Sequence, residues 1–450
     1  MSGSILHKYA DARLPRYTSY PTAPHFSDSV GVGAYSDWLS ALPASEPASL
    51  YLHIPFCRSM CWYCGCHTTI TRQDQPILAY LDVLQEEIRL VAERAPAGLN
   101  IGEVHFGGGT PTIVEPHEFA TLVNLLRRYF TFSEATSIAV EIDPRTLTPD
   151  MATALGGSGV RRASLGVQSL DRKVQVAINR IQSEEQTAEA VHLLRAAGVE
   201  SINFDLIYGL PHQTVSSCVE TAERVAAMRP DRLAVFGYAH VPSFKKHQRM
   251  IDETVLPDSA ARVVQAEAIA ATLVDAGYIQ IGLDHFALPG DELARAWQNR
   301  TLRRNFQGYT TDNRNSLIGF GASSIGRFND GYVQNEVAIG LYARHISSGR
   351  LATAKGYRLT AEDRLRADII EQLMCYFEAD ISAICARHGF DPAKVLAGAI
   401  TLPEMTADGL VTINNGVVRV DEAHRFVIRS VAAAFDAYLA QPLRLHSRAA

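Results

Sequence analysis

Tyr51-Leu52-His53-Ile54-Pro55-Phe56-Cys57-Arg58-Ser59-Met60-Cys61-Trp62-Tyr63-Cys64-Gly65-Cys66 decides how the rest of the chain is read. Residues 49–54 are an apolar, strand-like run that stops at a proline. Four cysteines then fall within ten residues, the first three spaced C-x3-C-x2-C. Three thiolates at that spacing can hold three irons of a cubane [4Fe-4S] cluster and leave the fourth iron open to a small molecule. A closed four-cysteine site lacks that open position. The motif therefore points to radical chemistry. A zinc site or a set of disulfides is the alternative, but zinc commonly uses two separated cysteine pairs, and no second C-x2-C pair exists here.

Outward from this loop, residues 49–250 alternate short β-branched runs with amphipathic stretches. Strands are expected at 49–54, 103–106, 137–142, 162–167, 201–207 and 232–236. Ile77, Tyr80, Leu81, Leu84, Ile88 and Val91 recur at helical spacing between the first two. Such alternation implies a parallel sheet with helices outside it, an α/β fold built as an incomplete, TIM-like (β/α)6 barrel. Ligands of parallel α/β folds collect at the carboxyl ends of the strands. The unusual residues sit there: the cysteines after the first strand, Gly107-Gly108-Gly109-Thr110 after the second, then Glu141, Gln168 and Asp205.

Taken singly these are weak signals. A glycine run is an ordinary strand–helix turn unless something approaches its backbone closely. A lone acid is more often a cap or a surface group, and Arg180 alone would be a solvated or paired side chain. Tyr51 and His53 alternate with Leu52 and Ile54, so both face one side of the first strand. If that side is the barrel interior, they lie beneath the cysteine loop; otherwise they are core residues.

The remaining organisation is expected as an irregular N-terminal arm (1–48), the barrel (49–250), a substrate-side extension (251–358) and a helical, winged-helix-like cap (359–450). A helix is expected at 260–276, a strand at 417–420 and a final helix to about residue 439. With 47% hydrophobic residues in 450, a sizeable core can form. The formal charge of −6, from 42 basic and 48 acidic residues, does not suggest a broad nucleic-acid surface. No apolar run reaches the roughly 18 residues that would span a bilayer, and no secretory leader is evident. Seven cysteines without paired spacing argue for a reducing cytoplasm, with Cys218, Cys375 and Cys385 as buried thiols.

The Tyr51–Cys66 run taken with Gly107-Gly108-Gly109-Thr110-Pro111-Thr112 resembles the oxygen-independent coproporphyrinogen III oxidases, radical S-adenosylmethionine (SAM) enzymes of heme biosynthesis. So do Glu141-Ile142-Asp143-Pro144, Gly166-Val167-Gln168-Ser169, Asp205-Leu206-Ile207-Tyr208-Gly209-Leu210-Pro211, Asp284-His285-Phe286 and Asn305-Phe306-Gln307-Gly308-Tyr309-Thr310. The likeness extends from Arg16-Tyr17-Thr18-Ser19-Tyr20-Pro21 to the C-terminal module. It implies one [4Fe-4S] cluster on Cys57, Cys61 and Cys64, and two SAM molecules. Tyr51, Gly108 and Glu141 would contact the first. Tyr63, Gly109, Thr110, Gln168, Arg180, Asp205, Ala239 and Ile325 would contact the second. Tyr51, His53, Cys66 and Glu141 are the expected catalytic set, although the role of Cys66 does not follow from the sequence. The resemblance further implies coproporphyrinogen III as substrate and a low-potential electron donor of unknown identity; oligomeric state is left open, and a barrel of this size with its own cap can work as a monomer. The substrate's four propionates call for cations, with Arg16, Lys245, Lys246, Arg303 and Arg304 as candidates. A heme-binding carrier on the same scaffold is the closest rival, against which Cys66 and Tyr17–Pro21 argue. Another radical SAM reaction on a different substrate is a further alternative.

Overall fold

The computed structural model describes residues 8–9, 12 and 14–439. Parts of the expected arm (1–7, 10–11 and 13) and the end of the expected cap (440–450) lie outside them. The largest sheet has twelve strands: β1 (Ala48–Ile54), β2 (Asn100–Gly108), β3 (Thr131–Ile142), β4 (Val160–Gln168), β5 (Ser201–Tyr208), β6 (Arg232–Gly237), β7 (Ile279–Ile281), β8 (His285–Ala287), β9 (Leu317–Phe320), β10 (Ile325–Phe328), β11 (Gly331–Asn335) and β12 (Thr353–Arg358). Their order is β12-β11-β10-β9-β1-β2-β3-β4-β5-β6-β8-β7. Strands β1 to β6 are all parallel, as the expected partial barrel requires. β9 adds a further parallel strand beside β1, and the rest are antiparallel.

The period-two pattern explains the sheet's two faces. Leu50, Leu52, Val104, Phe106, Val140, Leu165 and Phe204 are completely buried in the main hydrophobic core. Ile77, Tyr80, Leu81, Leu84, Ile88 and Val91 of the helix Gln75–Ala92 all bury there too, as their spacing predicts. The alternate strand positions carry Tyr51, His53, His105, Glu141, Ser164 and Asp205, and these line cavities. Polar side chains at period two on the concave face are what make this barrel a container.

Three expectations change. The arm is not irregular throughout, because Tyr35, Trp38 and Leu39 bury one face of a helix at Val32–Ser40. Between 251 and 358, four short strands (β9 to β12) extend the sheet beyond β1. They are four to six residues long and interrupted by glycines, too short to show a clear alternation. The final helix is shorter than expected, running from Ile428 to Ala433 after a 3-10 turn.

The C-terminal module has its own core and a three-stranded sheet of Glu378–Asp380, Val417–Val420 and Val411–Asn414. Tyr9, Tyr17 and Tyr20 of the arm are buried in that core. Tyr17 Oη donates to Asp436 Oδ2 at 3.0 Å, and the Ala437 N–H donates to Tyr20 Oη at 3.0 Å. Tyr9, Tyr17 and Tyr20 thus tie the arm to the C-terminal module. Cys218, Cys375 and Cys385 are buried thiols.

Candidate functional site

The cysteine loop is fixed from outside itself. Its backbone makes a short parallel ladder, Phe56–Cys57 against Thr69–Ile70. Asn179 Nδ2 donates to the Met60 carbonyl (2.8 Å), Gln248 Nε2 to that of Tyr63 (3.0 Å), His247 Nε2 to that of Cys64 (2.7 Å) and Lys245 Nζ to that of Cys66 (2.9 Å). Gln248 is completely buried, also donates to the Ala239 carbonyl (3.1 Å), and accepts from the Val241 N–H (2.6 Å). One side chain therefore ties the cysteine loop to the segment following β6.

Each thiol has distinct company. Cys57 Sγ lies 3.4 Å from the hydroxyls of both Thr68 and Thr110, and burial nevertheless pushes its pKa up. Cys61 Sγ accepts from Arg180 Nη1 (3.6 Å) and Arg145 Nη2 (3.7 Å). Both guanidiniums also grip Asp143, whose carboxyl they hold below its ordinary range despite burial. The pKa of Cys64 is pulled down to about 6, first by the Cys66 thiol, then by the Cys66 N–H and the charges of His247 and Lys245. Cys66, exposed to the cavity, is the partner that keeps its proton.

The glycine run has a reason the sequence did not show. A Cβ on Gly109 would stand 2.5 Å from both the Phe56 carbonyl oxygen and Thr68 Oγ1, and one on Gly107 would stand 2.9 Å from Glu141 Oε1. Gly108 has φ +126°, and Gly109 and Thr110 donate their N–H groups to the carbonyls of Ile54 and Phe56. The glycines let the end of β2 lie against the cysteine loop itself.

Two polar groups face the cavity from the strands. In the first, Tyr51 Oη donates to His53 Nδ1 (3.0 Å) and His53 Nε2 donates to the His67 carbonyl (3.2 Å). Burial drives the His53 pKa down to about 4, so the ring is neutral at pH 7. Glu141 Oε1 meets His105 Nε2 at 3.2 Å, and its Oε2 accepts from the Gly108 N–H at 3.1 Å. Its burial opposes ionisation, but these partners prevail and hold the carboxyl below its ordinary range. In the second group, register sets Ser164 of β4 beside Asn203 of β5, with Asp205 two residues on. Asp205 accepts from Ser164 (2.9 Å) and Asn203 (2.8 Å), and burial raises its pKa to about 6. Gln168, at the end of β4, has φ +67°, and its amide nitrogen lies over Gly166.

Cys57, Cys61, Tyr63, Cys64, Cys66, Gly108, Gly109, Thr110, Glu141, Gln168, Arg180, Asp205 and Ala239 line one cavity of about 1110 Å³ at the carboxyl ends of the strands. Tyr51, His53 and Ile325 line an adjoining cavity of about 590 Å³, which shares Cys66, Gly108 and Glu141 with the first. Of the cationic candidates, Arg16 and Lys245 line the first cavity and Arg303 and Arg304 the second, whereas Lys246 is exposed. Sequence reasoning missed Thr68, Arg145, Ser164, Asn203 and Gln248. The quoted Glu141–Pro144 motif did contain Asp143, whose value emerges only with its two arginines in place.

Residues 51–225 match the Radical SAM superfamily and residues 359–427 the HemN C-terminal domain. The chain is 60% identical over 449 residues to the oxygen-independent coproporphyrinogen III oxidase of Bradyrhizobium diazoefficiens, covering 100% of both chains. It belongs to that family. The anaerobic coproporphyrinogen III oxidase 1 of Cereibacter sphaeroides is 44% identical over 429 residues, covering 95% of each chain. The solved coproporphyrinogen III oxidase of Escherichia coli, described as a radical SAM enzyme, superposes with a TM-score of 0.90 at 38% identity, covering 95% of this chain and 100% of the other.

Radical SAM family membership carries a [4Fe-4S] cluster and SAM with it, and the residues present fit both. Four thiols, those of Cys57, Cys61, Cys64 and Cys66, line one cavity. Arg180 Nε, in the cavity wall, is buried without a hydrogen-bond partner among the described residues, and so is Thr112 Oγ1. Buried polar atoms left unpaired mark a place where a polar ligand belongs.

Proposed function

We propose that this chain converts two propionate side chains of coproporphyrinogen III to vinyl groups without oxygen, giving protoporphyrinogen IX. Cys57, Cys61 and Cys64 would hold the cluster. Tyr51, Gly108 and Glu141 would contact the first SAM, and Tyr63, Gly109, Thr110, Gln168, Arg180, Asp205, Ala239 and Ile325 the second. When bound, the cluster and SAM supply a 5′-deoxyadenosyl radical, which takes a β-hydrogen from a propionate before CO2 and one electron are lost. The rest falls to the side chains. Glu141, held ionised, can accept hydrogen bonds from an amine or from ribose hydroxyls. Asp205 offers acceptors of the same kind two strands along, on β5. His53 is neutral and fixes the Tyr51 hydroxyl, and Cys66 keeps a thiol at the junction of the two cavities. Radical chemistry needs reacting atoms in contact and water excluded, which a cavity walled by the cysteine loop, the strand ends and Arg16 of the arm favours.

The observation that carries this reading is a thiol-lined cavity with Glu141 and Asp205 on its walls, in a chain 60% identical to a named oxidase along its full length. The carrier reading is not favoured, since those full-length relatives are named oxidases. A monomer in the cytoplasm, served by a low-potential electron donor, completes the proposal. Among the described residues no helix is long and apolar enough to cross a membrane. The test is reconstitution without oxygen, followed by SAM, a strong reductant and coproporphyrinogen III. Deoxyadenosine, CO2 and the divinyl product should appear together, with about two deoxyadenosines per product. Deoxyadenosine without vinyl product would reject the substrate, and neither would favour the carrier.

A further inference from the structure

A third cavity, of about 520 Å³, lies beside the thiol-lined one and shares Arg16, Phe236, Gly237, Tyr238 and Ala239 with it. It is lined by no cysteine and does not include Glu141. Five arginines line it: Arg16 from the arm, Arg262 from the helix Ser259–Asp275, Arg304 from the Arg303–Asn305 strand, and Arg425 and Arg429 from the C-terminal module. Its acids are Glu267 and Asp284, and Asp284 already bonds His285 at 2.7 Å.

The way these arginines are fastened is the informative part. Each donates to a backbone carbonyl: Arg16 to Gly237 (3.1 Å), Arg262 to Tyr238 (2.9 Å), Arg304 to Arg16 (3.2 Å), Arg425 to Gly282 (2.7 Å) and Arg429 to Pro15 (3.0 Å). A carbonyl fixes a guanidinium in place without neutralising it. Arg16 and Arg304 have no carboxylate at ion-pair distance among the described residues, and Arg304 keeps Nε and Nη1 unpaired in the wall. Burial, and then the charge of Arg16, depress the Arg429 pKa to about 10, which reflects cations crowded together. Arg16 is exposed and Arg304 half-buried, and the nearest acid to act on both is Asp284; two cations held by carbonyls beside a cavity offer an incoming carboxylate a place to bind.

Resting on the activity proposed above, we infer that this cavity holds the two propionates that the reaction leaves intact, with Arg16 and Arg304 as principal contacts. The reacting propionates must reach the thiol-lined cavity. The retained pair needs a cationic site within one macrocycle of it and away from the cysteines. Phe306 lines all three cavities and offers a ring face where the macrocycle would cross between them. Guanidinium forks suit carboxylates because two parallel N–H donors match two oxygens.

The stable porphyrins make the test, because coproporphyrin III carries four propionates and protoporphyrin IX only the retained pair. Binding of each would be measured by fluorescence on the holoenzyme without oxygen, for wild type, Arg16→Gln, Arg304→Gln and the two lysine variants, with iron content and circular dichroism as controls. Each glutamine variant should weaken both porphyrins by about the same factor, roughly tenfold, as expected for losing a charge-assisted contact. Lysine should restore part of that loss, and iron should be unchanged. Weakening of coproporphyrin III alone would assign these arginines to the reacting propionates and overturn the inference. Unchanged binding of both would overturn it too. In the wild-type turnover assay, arginine-dependent binding of both porphyrins without any vinyl product would reject the activity but support the carboxylate site.

Discussion

Glu141 and Asp205 stand on strands, whereas Cys57, Cys61 and Cys64 stand on a loop, and the two sets are fixed by different means. The carboxylates inherit their positions from sheet register, and their partners come from the same or a neighbouring strand, as with Ser164 and Asn203. The cysteines owe theirs to donors from far along the chain: Asn179, Lys245, His247 and Gln248 on the loop carbonyls, and Arg180 and Arg145 on Cys61. A strand-held group should tolerate loss of a neighbour. A loop held by distant donors should fail together with them.

The largest effect is expected at the ligands. Cys57→Ser, Cys61→Ser or Cys64→Ser should lose the cluster and about a thousandfold or more of activity. Iron, sulfide and product analysis measures this, and full turnover by any of them would refute the ligand set. Glu141→Ala should lower activity about a hundredfold while iron stays, because its register is set by β3. If iron falls as well, the contrast between the two sets breaks.

Gln248→Ala lies far from both in sequence but belongs to the loop's supports. It should cost about 1–3 kcal/mol for each buried partner left unpaired, lower the melting temperature and speed iron loss to a chelator. Unchanged iron retention would mean the loop holds itself.

The smallest effect is a pH dependence. Asp205 has a folded pKa of about 6, above its ordinary 3.8, so its ionised form is disfavoured by folding. Its contribution to stability is fully present below about pH 3.8 and is lost as pH rises through 6. Asp205→Asn should therefore be more stable than wild type above pH 6, with the gap closing toward pH 4 in thermal melts. The same substitution should raise the KM for SAM while leaving iron intact.

The strand-held half of the site was legible and the loop's supports were not, for a physical reason. A strand announces itself through alternation, so Tyr51 and His53 could be put on one face and Glu141 and Asp205 near strand ends, while whether that face lined a cavity or the core stayed open. The cysteine spacing is local as well. The donors that lock the loop lie 84 to 185 residues away and look like ordinary surface side chains in sequence. Gly109 shows the same limit, since its need for no side chain comes from Phe56 and Thr68. β9 to β12 went unseen because four to six residues broken by glycines cannot display a clear period.

Iron and sulfide per chain in Cys66→Ser, beside wild type and Cys57→Ser and all reconstituted identically, test the central claim that three of the four cysteines hold the cluster. The account predicts about four irons and four sulfides in wild type and in Cys66→Ser, with Cys57→Ser depleted. Depletion of Cys66→Ser to the level of Cys57→Ser would contradict it, because the cluster would then be closed by a fourth thiolate with no open iron for SAM.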